Sequence, residues 1–366
     1  MVNTAVLDQN PAAPLEDAVM RAAVYRHKNK VVLEAVPVPR IGDGELLVRV
    51  HSCGVCGTDI KKIEHGFVAP PRIFGHEIAG TVVRAGKNIK RFTAGDRVAL
   101  HHHIPCRKCF YCRKKLFSQC ASYLRTGTTA GFEPAGGGFA EFVRVMDWIV
   151  EEGTVPIPDS VSFEEASFLE PLNTCLKALE TAGLERGEVV AILGQGPVGL
   201  LLTQASVCGG ATVVGLDLME ARLKSSRKFG AHLALNPEQD DVTSEVGRLT
   251  EGRGADLAIV ATADSRAVAA AQGVVRRGGR VMLFAQTVPG EMIPVEVSQI
   301  CTAEKKLIGS YSASVELQEK AAHLIFSKKV KVAELVSHRF PLDRFLEAVY
   351  LASHPSQDSL KVMIQP

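Results

Sequence analysis

The sequence predicts an α/β protein of two domains, one built on a doubly wound parallel sheet and the other a β-rich, barrel-like domain. Three observations carry that prediction. A chain of 366 residues suits two buried cores better than one. From about residue 173 to 306, apolar runs of strand length ("VVAIL", "ATVVGL", "ADLAIVA", "RVMLF") alternate with helical stretches ("VGLLLTQASVCG", "MEARLKSSRKFGA", "SRAVAAAQGVV"). That alternation marks parallel strands joined by crossover helices. From about 21 to 172 the chain is instead rich in Val, Gly and Pro, and runs such as "ELLVRVHS", "IAGTVVRAG" and "DRVALHHH" are punctuated by turn residues.

Residues 1–19, "MVNTAVLDQNPAAPLEDAV", read as a polar, Pro/Ala-rich arm of the disordered type. They lack the basic start and apolar run of a secretory signal, so a reducing cytoplasm is the expected location. No stretch approaches the ~20 apolar residues of a membrane span. Lys and Arg total 42 against 40 Asp and Glu, a balance that argues against a nucleic-acid or anionic-membrane partner. The short basic clusters "KNIKR" and "CRKCFYCRKK" read as solvated faces.

The run "PCRKCFYCRKKLFSQC" spaces Cys106, Cys109, Cys112 and Cys120 as C-x2-C-x2-C-x7-C. Four thiolates in one short loop form a closed tetrahedral set, which is how structural zinc is held. The loop, about 101–121, is too polar to fold on its own apolar core, so the metal would supply its order. An iron–sulfur cluster also takes four cysteines. His101, His102 and His103 are consecutive strand residues that point to alternate faces, which suits packing or surface roles better than one shared metal. A second, scattered set combines Cys56 of "CGVCGTD", His76 and Glu77 of "FGHEIAG", and Glu170 of "FLEPLN". One thiolate, one imidazole and one carboxylate would suit a catalytic zinc with an open position, although spacing alone does not single these residues out.

Further on, "VVAILGQGPVGLL" places Gly194-Gln195-Gly196-Pro197-Val198-Gly199 directly after a strand and at the start of a helix. Gly194 permits the tight turn, Gly196 the approach of a pyrophosphate, and Gly199 close packing of helix on strand. The helix N-terminus offers N–H groups to the phosphates. Asp217 ends the second strand of this region, eighteen residues past Gly199. It would accept the ribose hydroxyls and repel a 2′-phosphate, which favours NAD over NADP; Arg222 is the nearby cation that argues the other way.

CGVCGTD, "GHEIAGTVVRAGKNI", the four-cysteine lobe, "LEPLNT" and the GQGPVG turn follow one another as in the zinc-dependent medium-chain dehydrogenases. From about Met20 to its end the chain resembles that family, and most of all its polyol, sugar and threonine dehydrogenase branch, in which the third zinc ligand is a glutamate followed by proline. The resemblance implies a GroES-like catalytic domain over 20–172 and 307–366, carrying the lobe, and a Rossmann domain over 173–306. It implies two zinc ions per chain, one structural and one catalytic. Cys56, His76 and Glu170 would hold the catalytic ion, with Glu77 beside it as an alternate ligand and Asp59 orienting His76. Cys53 would then pack as a small hydrophobe, and Cys175 would be core.

Thr58 matches the family's proton-relay hydroxyl. Lys61 stands where many relatives carry a histidine at the outer end of that relay, and His65 is a substitute only if its loop folds back. Thr174 matches a position that contacts the nicotinamide, and Asn173 could touch cofactor or substrate. The activity so implied is hydride transfer between a secondary alcohol (polyol, sugar, cyclitol or similar small molecule) and NAD. A threonine-type amino-alcohol dehydrogenase and a simple alcohol dehydrogenase or carbonyl reductase are the alternatives. A non-catalytic NAD- and zinc-binding protein would have no use for Cys56, His76, Glu170 and Thr58 together. A homotetramer is expected before a dimer. The substrate pocket is expected from "EHGFVAPPRIF" with Phe67 and Phe74, from Phe117 to Phe132, and from "GSYSAS" around Tyr311.

Overall fold

The computed structural model describes residues 18–101, 103–125, 136–287, 290–293 and 295–366. The N-terminal arm up to residue 17, His102 and Phe132 lie outside the described residues. The chain divides into two compact units. One runs to Glu170 and adds Ser314–Ser327 and Val332–Pro366; the other comprises Pro171–Ala313 and Lys328–Lys331.

The first unit begins with an antiparallel pair, β1 (Val19–His27) and β2 (Lys30–Pro37), joined through Asn29 in the left-handed region. β3 (Leu46–Gly54) follows, then the two-residue β4 (Arg72–Ile73), β5 (Glu77–Ala85), β6 (Arg97–Leu100), β7 (Phe142–Val145) and β8 (Thr154–Pro156). β4 joins β1, completing a three-stranded sheet. The strands are rich in Val, Ile and Leu, as half- or fully buried strands require.

The second unit carries β9 (Val189–Leu193), β10 (Thr212–Leu216), β11 (Leu233–Leu235), β12 (Ala255–Val260), β13 (Val275–Leu283) and β14 (Lys306–Gly309). Their order is β11-β10-β9-β12-β13-β14, and every pairing is parallel. This is the doubly wound dinucleotide fold, with its strand order reversing between β9 and β12. All five residues of β9 are buried, which explains a continuous apolar run in place of alternation. A core of Val214, Leu216, Val246, Ala258, Val268 and Val281 packs helices on the sheet.

The chain then returns to the first unit with β15 (Val336–Pro341) and β16 (Lys361–Gln365). There the larger sheet runs β15-β16-β3-β5-β6-β8, with β7 also on β3. β3 is central and buried nearly throughout. Its end sets the site: Gly54 pairs with Glu77 on one side and Met363 on the other.

Two boundaries differ from the sequence reading. A break at 306 assigns Leu307–Gly309 to the catalytic domain, but these residues continue β14, whose ladder runs Arg280–Lys306 to Leu283–Gly309. A short edge strand with polar flanks has too little pattern to announce its sheet. The other boundary falls at Glu170 and Pro171, inside the helix Leu169–Ala182, where periodicity gives no sign of a change. Among the described residues, no helix is long and apolar enough to cross a membrane.

Candidate active site and metal centres

The four cysteines of the lobe converge, their sulfurs lying within 4.8 Å of one another. Cys112 Sγ is 3.5 Å from Cys109 Sγ and 4.0 Å from Cys106 Sγ. A tetrahedron of sulfurs about 2.3 Å from a zinc ion has edges of about 3.8 Å, so these residues fit one such ion; sulfurs this close leave no room for a cluster of irons between them. The Cys106 N–H donates to Cys120 Sγ at 3.4 Å. Burial pushes the Cys120 thiol up, but backbone N–H groups, that of Cys106 first, pull it down to about 6. The lobe's own core is small: Phe117 and Tyr123 with Cys112 and Cys120. Phe117 is therefore core and not a pocket wall, as is Phe74, buried against Tyr25. Phe67 is exposed and stacks near His65. His101 is fully buried, and His103 stacks on Tyr123 at 4.3 Å.

The second cluster is assembled from distant segments. Cys56 caps the helix Gly57–His65, and the Thr58 N–H points at its sulfur at 3.5 Å. His76 and Glu77 come from the start of β5. Gly75, with φ +95°, turns the chain there, and a side chain on it would meet Cys53 Sγ at 2.8 Å. Cys53 is thus a fully buried packing residue beneath Gly75. Cys56, His76 and Glu77 offer ligand atoms within 4.8 Å of one another. Glu77, which the sequence reading set beside the ion as an alternate ligand, is the carboxylate of this trio.

Glu170 is buried in the first turn of its helix. Burial pushes its carboxyl up to about 7, with His76 pulling it down and Glu77 pushing it further up. The His76 Nδ1–H donates to Asp59 Oδ1 at 3.2 Å, which leaves Nε2 as the ring atom for a metal. Burial alone would depress the imidazole, but Asp59 and the Cys56 sulfur lift it well above its usual range. Three buried carboxylates, an imidazole and a thiol in one place fit a divalent cation and suit little else.

Sequence reasoning missed Lys361. Its side chain is buried on β16, ion-paired with Glu77 Oε2, and donates to the Val55 carbonyl at 3.1 Å. Burial pulls the ammonium down, yet Glu77 and Cys56 raise it above the ordinary lysine range. The pair explains Gly54: a side chain there would lie 1.8 Å from Glu77 Oε2 and 2.6 Å from Lys361 Cε. The available signal was a lone lysine at an inward position of the apolar run "LKVMI". Thr58 and Lys61 lie on the helix Gly57–His65, both partly buried.

In the second unit Gly194 has φ +97°, and a side chain on Gly199 would meet the Gly194 carbonyl at 1.9 Å. The helix Pro197–Cys208 starts here and buries Gly199 while Pro197 and Val198 stay partly accessible. Gln195 turns inward: its amide donates to the Ile192 carbonyl and accepts from Thr203 Oγ1 at 2.9 Å, and its backbone N–H donates to Asp217 Oδ2 at 2.7 Å. Its side chain therefore fills the fold and does not face a phosphate. Asp217 also accepts the Met219 N–H at 2.9 Å, and Arg222 lies 3.7 Å from its carboxylate. Asn173 and Cys175 are fully buried, with Thr174 partly so.

Fold and donors together define a dehydrogenase: a doubly wound dinucleotide sheet joined in one chain to a β domain with two candidate metal centres. Two family models match: "Alcohol dehydrogenase GroES-like domain" over residues 42–159 and "Zinc-binding dehydrogenase" over 197–327. A sorbitol dehydrogenase of Bacillus subtilis is 30% identical over 353 residues, covering 95% of this chain and 97% of that protein. A D-xylulose reductase of Saccharomyces cerevisiae is 29% identical over 94% of this chain and 97% of its own. A zinc-binding dehydrogenase of Sinorhizobium meliloti, solved bound to NADP, superposes with a TM-score of 0.86 at 27% identity, over 96% of this chain and all of that one. The chain belongs to the zinc-dependent medium-chain dehydrogenases, and its activity is alcohol oxidation coupled to a nicotinamide dinucleotide.

Proposed function

We propose that this chain oxidises a secondary alcohol of a polyhydroxylated small molecule, and reduces the matching ketone, with NAD at a zinc centre held by Cys56, His76 and Glu170. The observation that carries this reading is the convergence of Cys56 with the buried His76 and Glu77, with Asp59 behind the imidazole and Lys361 behind Glu77. The substrate class follows relatives named for sorbitol and D-xylulose. Glu77 serves as a reserve ligand that Lys361 holds back. A second zinc in the four-cysteine lobe is structural.

The bound zinc supplies a Lewis acid that lowers the pKa of the alcohol, and the nicotinamide supplies the hydride acceptor. The chain's own contribution is orientation and charge. Asp59 holds the His76 tautomer, burial excludes water from the carboxylates, and the Thr58 hydroxyl takes the alcohol proton toward solvent, with Lys61 at the outer end. Gly194, Gly196 and Gly199 with the following helix N-terminus take the pyrophosphate, and Thr174 faces the nicotinamide.

Asp217 favours the ribose diol of NAD, while Arg222, 3.7 Å from that carboxylate, offsets part of its charge. The second reading is NADP, with Arg222 swinging to a 2′-phosphate; the Sinorhizobium meliloti neighbour bound to NADP keeps it in play. We place the enzyme in the cytoplasm as a homotetramer. Leu307 on the sheet-edge strand β14 and the largely exposed Val297 give a second copy apolar surface to cover.

Elemental analysis with a substrate screen tests the whole reading. Two zincs per chain, NADH formation on sorbitol, xylitol or related polyols, and a kcat/KM for NAD at least about tenfold above NADP are expected. One zinc that survives Cys56→Ala, with no turnover on any alcohol, would overturn the catalytic assignment.

A further inference from the structure

The turn leaving β14 combines three features. Ser310 Oγ is buried without a hydrogen-bond partner. The Tyr311 carbonyl accepts a 2.6 Å hydrogen bond from Lys177 Nζ. Ser312 has φ +60°, the left-handed region, which a side-chain-bearing residue rarely adopts. A strained residue persists only where its surroundings hold it, and such residues gather at ligand clamps.

Lys177 lies on the helix Leu169–Ala182. Half a turn earlier, Cys175 Sγ approaches the Val198 carbonyl at 3.8 Å, in the first turn after the glycine-rich loop. One helix therefore touches both the phosphate-binding turn and the β14 exit. All six strands are parallel, so that exit lies at the same sheet end as the Gly194 turn and Asp217. A dinucleotide crosses such a sheet at the point where the strand order reverses. With Asp217 after β10 taking the adenosine ribose, the remaining half extends over the ends of β12, β13 and β14. Burial pulls the Lys177 ammonium down to about 8, a cost that a solvent-facing lysine would avoid.

We infer that Lys177 is a positioning residue for the nicotinamide half of the cofactor, clamping the Tyr311 carbonyl so that the Ser310–Ser312 turn presents a fixed surface to it. The inference rests on the reading that this sheet binds NAD.

Calorimetric titration of the full-length, zinc-loaded enzyme with NAD and with ADP-ribose tests it. ADP-ribose uses the glycine turn and Asp217 but has no nicotinamide. In Lys177→Met, NAD affinity is expected to fall about tenfold, the worth of one charge-assisted hydrogen bond, while ADP-ribose affinity stays within about twofold. Lys177→Arg, which keeps a cationic donor, recovers most of the loss. Ser312→Gly, which relieves the left-handed backbone of the turn, moves NAD affinity the same way by less. Equal losses for both ligands, or none for NAD, would reduce Lys177 to a structural staple. A wild-type enzyme that binds neither ligand would instead sink the dinucleotide reading itself.

Discussion

The two candidate metal centres hold similar numbers of donors and are built in opposite ways. The lobe's four cysteines come from one run of fifteen residues, with Phe117 and Tyr123, among the described residues, as core beneath them. The other centre draws Cys56, His76, Glu77 and Glu170 from a loop, a strand and a helix, over a core that includes Cys53, Ile78, Phe139 and Ile364. On this contrast the lobe should need an ion to be ordered, whereas the gathered site, ordered by its sheet, should need one for its charge. Mixed donors leave one centre open to chemistry; four thiolates close the other.

The largest effect separates the two functions. Cys56→Ala should lower kcat by about 10³-fold or more and remove one zinc per chain while leaving the melting temperature within a few degrees. Cys106→Ser should do the reverse. It too removes one zinc, but it should lower the melting temperature by roughly 5 °C, equivalent to about 2 kcal/mol, and open the lobe to limited proteolysis. Activity per folded molecule should stay within a few-fold. If both variants lose activity alike and melt alike, the contrast between an order-giving and a charge-demanding metal is wrong.

A second test concerns Lys361. A lysine buried beside Glu77 balances charge that the strands bring together. Lys361→Met leaves the carboxylate without its counter-cation, and removing one partner of a buried pair costs about 3–5 kcal/mol. Chemical denaturation of the zinc-stripped variant should show that loss, and saturating zinc should recover part of it. Recovery by zinc of nothing at all would mean that Glu77 does not face the ion.

The smallest effect uses the other buried lysine. Lys177 is paired to a carbonyl, and burial holds its pKa near 8. Its unfolded value is about 10.4, so between these values the unfolded chain binds more protons than the folded one. Stability therefore rises with pH across that window, and the full cost is present below it. Urea midpoints from pH 7 to 10 under reducing conditions should rise more in wild type than in Lys177→Met. Parallel curves would contradict the assigned depression.

Much of this was legible from sequence wherever a feature is local. The C-x2-C-x2-C-x7-C run and the Gly194–Gly199 turn carry their chemistry within one short segment, so spacing alone reveals them. The alternation of apolar runs with helices likewise announced the parallel sheet. Lys361 and Gly54 were not legible, since their meaning depends on β16 and β5 flanking β3 at one level. Nor was the setting of Gln195 legible, since Thr203 and the Ile192 carbonyl, which engage its amide, meet it only in the fold.

By itself, then, the order of residues determined the class of fold, the lobe's four-cysteine spacing and the dinucleotide turn. Each depends on neighbours within about a score of positions, where backbone geometry and residue type suffice. Only the tertiary structure decided that Glu77 joins Cys56 and His76 in one trio, why position 54 must be glycine, and where the buried cations lie. Those depend on strand register and on the charge that burial forces into pairs, and neither is a property of any single segment.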